Sequence, residues 1–175
     1  MTAQAPHTYA DWADRLERFS AGDDSMLECM QAGTLEWSSV VAERWTRLVD
    51  NALATRLQAL SQRLQRALDQ ANGDAFGVSR ALLDARRTLS TLHGLTTLAC
   101  LDGQVKTHLA NQLSRWATRT HESLQGASSD PRNAALRKIL RDQPLTAAAT
   151  AVPYPGPFPA ATDTPAGVRP RRQIL

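Results

Sequence analysis

Apolar residues at the start of the chain follow the three- and four-residue spacing of an amphipathic helix. Thr8 is a candidate N-cap, and Asp11, three residues later, can complete a capping box. Gly22 is the first residue suited to ending this helix. The pattern predicts one helix within residues 1–22, whose apolar face comprises Tyr9, Trp12, Leu16 and Phe19.

A much longer helical pattern follows, between Ser25 and the pair Asn72-Gly73. Ser25 and Glu28 form a second capping box, and Asn72-Gly73 is a turn signal. A single helix over residues 25–71 would be roughly 70 Å long, far above the average length, so its apolar stripe needs a partner. That stripe is a leucine seam with mostly three- and four-residue steps, and it consists of Trp37, Val41, Trp45, Leu48, Leu53, Leu57, Leu60, Leu64 and Leu68.

Two further helical patterns lie between residues 75 and 126. The first repeats apolar residues from Val78 to Leu92, so that residues 72–77 become the turn of an antiparallel helical hairpin. Asp102-Gly103 interrupts the pattern, which resumes at Val105 and continues to residue 126. We therefore expect an all-α fold, an antiparallel hairpin or bundle of long amphipathic helices with residues 23–126 as its core.

The residue composition and the predicted structure of the chain change twice beyond residue 126. Asp130-Pro131 supplies an N-cap followed by proline at the first helical position, which predicts a short basic helix within residues 127–143. Residues 144–175 contain seven of the nine prolines, and such a segment buries too little apolar surface to offset the entropy of ordering. We expect a flexible tail that docks a partner through aromatic residues between prolines and through its basic end. Its candidate docking residues are Tyr154, Phe158, Arg169, Arg171, Arg172, Ile174 and Leu175.

Composition and cysteine usage are typical of a helical cytoplasmic protein. Apolar residues make up 42% of the chain but aromatic residues only 5%, so Leu and Ala must form most of the core, which favours helices over sheets. Cys29 and Cys100 lie far apart, and no signal-like or long apolar run is present. We expect a cytoplasmic protein without a transmembrane segment.

No combination of residues points to catalysis. His93, His108 and His121 are too widely spaced on a straight helix to share a metal ion. The sequence contains no repeated E-x-x-H pair, no Gly-rich phosphate loop, no G-x-S-x-G elbow and no C-x-x-C pair. We therefore expect a protein that is not an enzyme and that binds no cofactor.

The distribution of charge supports a hypothesis of nucleic-acid binding. Residues 1–74 carry 7 basic and 11 acidic side chains, a net charge of −4, whereas residues 75–175 carry 13 and 6, a net charge of +7. Clustered arginines can contact phosphates in a salt-dependent manner, although acidic residues interleave with them and no compact helix-turn-helix is evident. The candidate phosphate contacts are Arg86, Arg87, Arg115, Arg119, Arg137, Lys138 and Arg141.

A third hypothesis comes from the composition and amphipathic pattern of the Ala- and Gln-rich helices between about residues 25 and 125. The stretch Arg56-Leu-Gln-Ala-Leu-Ser-Gln-Arg-Leu-Gln-Arg-Ala67 resembles the helices of phasins, which coat polyester storage granules in bacteria. The resemblance implies a granule- or surface-coating protein. Small phage assembly proteins and secretion chaperones have helices of the same composition and pattern. A bacterial or phage origin is therefore expected whether the chain resembles these proteins or the phasins.

We favour a non-enzymatic interaction or assembly protein, structural or adaptor, over these two alternatives. A long apolar stripe is buried more completely in a bundle of chains than in one thin hairpin, so the leucine seam predicts a homo-oligomer or a component of a larger assembly. Three or more antiparallel helices within one subunit would satisfy the seam equally well. The partners expected are therefore proteins, with nucleic acid as the alternative.

Overall fold

The computed structural model describes residues 8–31, 33, 39–127 and 134–149, and these residues contain helices and no strand. The prediction of an all-α bundle is confirmed. In chain order the helices are α1 (Tyr9–Ala21), α2 (Ser25–Gln31), α3 (Ser39–Ala71), α4 (Ala75–Thr96), α5 (Gly103–Ala127), α6 (Ala134–Asp142) and α7 (Leu145–Ala148).

Helix α1 begins and ends where the local sequence signals predict. The hydroxyl of Thr8 accepts a hydrogen bond from the Asp11 amide at 3.2 Å, and the Asp11 carboxylate accepts one from the Thr8 amide at 3.0 Å. At the other end Gly22 has a φ of 119°, a left-handed conformation that glycine adopts at little cost. Both ends of the helix are therefore fixed by residues within or next to it.

The long pattern between residues 25 and 71 is two helices rather than one. Helix α2 ends at Gln31, and the Gly33 amide donates to the Met30 carbonyl at 3.2 Å in a tight turn. Glycine has one of the lowest helix propensities, so Gly33 marks the place where the pattern fails. Trp37, the first residue predicted in the leucine seam, lies outside the described residues.

The predicted turn between the two hairpin helices and the predicted break before α5 are both present. Asn72 and Gly73 have φ values of 45° and 81°, and the Asp74 carboxylate caps α4 by accepting from the Gly77 amide at 2.8 Å. Asp102 caps α5 in the same way, accepting from the Gln104 amide at 2.7 Å. Each cap satisfies helix N–H groups that have no partner within the helix.

Contacts between the helices define their directions. Arg44 of α3 lies over the Tyr9 ring, and Arg56 of the same helix lies over Phe19, so α1 runs parallel to α3. The hairpin turn makes α4 antiparallel to α3. Helix α5 is again parallel to α3, because its residues 104–109 lie beside positions 46–50 and its residues 119–124 lie beside positions 61–65. Helices α3, α4 and α5 therefore form an up-down-up arrangement.

The start of the predicted flexible tail, just after Pro144, is helical and packs on the core. Leu145, Ala148 and Ala149 are buried, and they lie in or next to the short helix α7, which packs against α4 and α5. The leucine and alanine residues directly after Pro144 supply enough apolar surface to pack on the core. The high proline content of residues 144–175 as a whole hides this local apolar stretch. The tail residues beyond Ala149 and the Asp130-Pro131 start predicted for the basic helix lie outside the described residues.

Candidate interaction surface

The leucine seam lies inside the subunit. Trp45, Leu53, Leu57, Leu60 and Leu64 are buried, with no more than 7% of any of these residues exposed. The remaining described seam positions, Val41, Leu48 and Leu68, are partly buried. The seam therefore packs against helices of the same chain, and its leucines do not form an open face. This is the arrangement expected if several antiparallel helices of one subunit cover the seam.

The predicted phosphate contacts separate into one buried arginine and six exposed side chains. Arg86 is only 1% exposed, and its guanidinium donates a hydrogen bond to the Gln143 carbonyl, so it ties α4 to the segment before α7 instead of facing solvent. Its position on the buried face of α4 explains this difference from the prediction. The exposed side chains are those of Arg87, Arg115, Arg119, Arg137, Lys138 and Arg141.

A second buried arginine, Arg56, joins α1 to α3. Its Nη1 atom donates to the Phe19 carbonyl at 3.0 Å, and its Nη2 atom pairs with the Asp24 carboxylate at 2.5 Å. The Phe19 carbonyl belongs to the last turn of α1 and also accepts from the Gly22 amide at 3.0 Å, and a cation is favourable at this end of a helix. The role of Arg56 is not predictable from the sequence, because no nearby residue identifies the helix that lies opposite.

Helix α1 covers only part of the α3 face on which it packs. Trp12 meets Trp45 edge to face with ring centres 5.4 Å apart, and the last α1 contact described above is at Arg56. The same face of α3 continues at three- and four-residue spacing through Leu60, Arg63, Ala67 and Gln70. Beyond Arg56 the described residues that line the groove between α3 and α4 belong to these two helices and their turn, and we call this part the open groove.

The open groove has an apolar floor. It consists of two hollows of ≈120 and ≈400 Å³, which share Ala67, Ala81 and Asp84 in their linings and so form one continuous depression that reaches Asp74 beside the hairpin turn. The side chains on the floor are short or deeply buried, and Leu60, Leu64, Ala81 and Ala85 are between 1% and 7% exposed. The floor residues are Leu60, Leu64, Ala67, Ala81 and Ala85.

Charged side chains stand along the rims of the open groove. Arg63 lies on the α3 side, Arg80 and Asp84 lie on the α4 side, and Asp74 lies at the end beside the hairpin turn, all four exposed. Within the part of the chain that the structure describes, none of these four side chains forms an ion pair. Their charges are therefore available to a molecule seated in the groove.

A polar cluster links α3 to α5 on another side of the bundle. The Gln112 side-chain amide donates to the Asp50 carboxylate at 2.6 Å and lies 2.8 Å from the Nε2 atom of His108, which in turn lies 3.4 Å from Asp50. An acid-histidine pair needs an activated nucleophile to catalyse acyl transfer. Thr46, which lines the same hollow, has its hydroxyl donate to the Ala42 carbonyl at 2.9 Å. The hydrogen bond from Gln112 to Asp50 joins α5 to α3.

The two cysteines are free thiols in apolar surroundings. Cys29 is buried and donates to the Ser25 carbonyl at 3.5 Å. Burial raises the pKa of Cys100, and a hydrogen bond with Trp45 opposes this effect in part. In the described ranges, no three His, Cys, Asp or Glu side chains are placed to hold a metal ion, and no helix has the length and apolar character needed to cross a membrane.

Comparisons with known proteins give no relative. No protein family, no curated protein and no solved structure matches the chain.

Proposed function

We propose that the protein is a non-enzymatic structural or adaptor component of a larger assembly, and that its helical core binds another protein in the open groove. The observation that supports this is the abrupt end of the α1 contact at Arg56, beyond which the groove keeps its apolar floor. An apolar groove between two helices is suited to the apolar face of a third. Residues 150–175, with Tyr154 and Phe158 between prolines and a basic end at Arg169, Arg171 and Arg172, are proposed as a second docking element. Two free cysteines are consistent with a cytoplasmic location.

The test is affinity capture from the protein's own host with three versions of the full chain: wild type, Ala67→Glu and Ala54→Glu. Ala67 lies on the groove floor, whereas Ala54 is exposed on the same helix away from it. A charged side chain on the floor is costly to desolvate beneath a partner. We expect quantitative mass spectrometry to show proteins retained by wild type and Ala54→Glu but lost with Ala67→Glu. Identical protein sets from all three would contradict the proposed function.

Nucleic-acid binding is the second candidate function, and one feature of α6 favours it. Arg137, Lys138 and Arg141 are all exposed on the same short helix, while Leu136 and Leu140 anchor its other face. Binding through such contacts weakens steeply with salt. Size-exclusion chromatography with light scattering at low and high salt, with the absorbance ratio at 260 and 280 nm, distinguishes bound nucleic acid from a protein oligomer.

Self-association through the seam and coating of an apolar surface both need the helices to separate. The described residues bury most of the leucine seam, and among them only Val40 and Phe76 are large apolar side chains that are mostly exposed. Removing the seam from its packing would expose an apolar surface at about 25 cal/mol per Å². Binding in the open groove needs no such rearrangement.

A further inference from the structure

We infer that one proton on His108 decides which residue of α5 is joined to Asp50 of α3: Gln112 when the imidazole is neutral, and His108 itself when it is charged. The inference comes from three side chains that converge between these two helices, a carboxylate, an imidazole and an amide. It concerns a contact inside the bundle and is independent of the proposed function.

The hydrogen bonds of Gln112 fix the state of the imidazole. The side-chain nitrogen of Gln112 lies 2.6 Å from a carboxylate oxygen of Asp50 and 2.8 Å from the Nε2 atom of His108. An amide nitrogen donates two hydrogen bonds and accepts none, so both neighbouring atoms must be acceptors. The Nε2 atom accepts only when the imidazole is neutral and carries its proton on Nδ1. The cluster shown by the structure is therefore the neutral form of His108.

A second proton on the ring reverses the role of Nε2. Both nitrogens of a charged imidazole are donors, so Nε2 and the Gln112 amide nitrogen would face each other as two donors 2.8 Å apart. If the amide turned over, its oxygen would take the place of the nitrogen, 2.6 Å from the Asp50 carboxylate, and two acceptors would meet. Gln112 therefore cannot bind Asp50 and a charged His108 at the same time.

Asp50 is the partner that the charged ring meets. The Nε2 atom lies 3.4 Å from the same carboxylate oxygen that Gln112 binds, so a small movement of the ring gives a charge-assisted hydrogen bond. The other charged residue on the hollow that His108 lines is Arg47, whose guanidinium already pairs with Glu43 at 2.6 Å. Helices α4, α6 and α7 also pack on α5, but none of their described residues lines this hollow.

The exchange of partners moves the link between the two helices. His108 and Gln112 are four residues apart, which is about 6 Å along the helix axis at 1.5 Å per residue. Asp50 keeps its place on α3, so the point at which α5 is held shifts by one turn toward its N-terminus as the pH falls. Histidine ordinarily changes its charge between pH 5 and 8, so the exchange lies within the physiological range.

A second pair of the same kind on α5 provides a control. His121 and Gln125 have the same spacing, and the Gln125 amide nitrogen lies 2.9 Å from the Nε2 atom of His121. Across the part of the chain that the structure describes, no carboxylate forms an ion pair with the ring of His121, whereas His108 lies beside Asp50. Protonation of a histidine next to a glutamine affects both pairs, but an exchange of partners is possible only at the first.

The first test is nitrogen-15 NMR of the full wild-type chain, with the ring signals of His108 identified by their loss in His108→Asn. At pH 8 we expect the ring proton on Nδ1. At pH 5 we expect the side-chain NH signals of Gln112 to shift upfield as they lose the Asp50 carboxylate. A ring proton on Nε2 at pH 8, or Gln112 signals that stay in place at pH 5, would overturn the inference.

Urea denaturation of variants then measures which residue carries the link. Gln112→Ala should lower the denaturation midpoint relative to wild type more at pH 8 than at pH 5, and His108→Ala should lower it more at pH 5 than at pH 8. His121→Ala, the matched control, should change the midpoint by the same amount at both pH values. The inference is wrong if Gln112→Ala has the same effect at both pH values, or if His108→Ala behaves as His121→Ala does.

Discussion

The guanidinium of Arg56 lies 4.9 Å from the centre of the Phe19 ring and also donates a hydrogen bond to the carbonyl of Phe19. One side chain of α3 thus holds both the ring and the backbone of the last turn of α1. Because Arg56 is also paired with Asp24, just beyond the end of α1, it fixes the point at which α1 leaves the surface of α3.

Replacing Arg56 with methionine should destabilise the protein by about 2–3 kcal/mol. The substitution keeps an unbranched apolar side chain but leaves the Phe19 carbonyl without its charged donor, and hydrogen bonds to charged groups are worth about 1.5–3 kcal/mol. Chemical denaturation followed by circular dichroism measures the change. Arg56→Lys should recover only part of the loss, because lysine lacks the planar fork. If Arg56→Met is as stable as Arg66→Met, at an exposed position, this role of Arg56 is wrong.

Leu60→Asp should unfold the protein rather than dissociate an oligomer. Leu60 is 3% exposed inside the subunit, and burying an unpaired carboxylate costs on the order of 5 kcal/mol. Far-ultraviolet circular dichroism and light scattering distinguish the two outcomes, with Gln58→Asp on the exposed face as the control. A folded monomer produced by Leu60→Asp from a wild-type oligomer would restore the seam as an interface between chains.

Truncations should locate the start of the tail after Ala149. A chain that ends at Gln143 loses Leu145, which is fully buried, and should be less stable by about 2–3 kcal/mol. A chain that ends at Ala149 keeps that contact and should melt at the temperature of the full protein. Thermal denaturation provides the comparison, and equal melting temperatures for the two truncations would show that α7 adds no stability.

Cys100 should react slowly with iodoacetamide at pH 8. Burial raises the pKa of its thiol, so the folded protein holds less of the reactive thiolate than an exposed cysteine does. Between the ordinary and the raised pKa the folded state keeps a proton that the unfolded state releases, so stability should fall as pH rises through this window. The measurement uses Cys29→Ala, which leaves Cys100 as the single thiol, and compares native protein with protein unfolded in guanidinium. Equal rates in the two states would contradict the assignment.

Helix ends were predictable from the sequence where one or two neighbouring residues determine them. Thr8, Asp74 and Asp102 each cap a helix through hydrogen bonds that reach no further than three residues. Gly33 carried an equally local signal, but the apolar spacing on either side of it masked the break. An apolar pattern that spans dozens of residues can therefore contain a helix break at a single internal glycine.

The candidate site was not predictable, because it depends on which helices lie opposite one another. The sequence indicates that Leu60 and Ala67 share a helix face, but not that α1 stops short of them. Arg86 was assigned to the surface for the same reason: its partner, the Gln143 carbonyl, lies 57 positions away in the sequence. Long-range packing decided both cases, and local spacing contains no information about it.

Gly94 controls how closely α2 approaches α4. A Cβ atom at this position would stand 2.7 Å from a methyl group of Leu27, so any larger residue forces that side chain to move. Gly94 leaves the space that this Leu27 methyl group occupies, so the packing of α2 on α4 depends on the absence of a side chain at position 94.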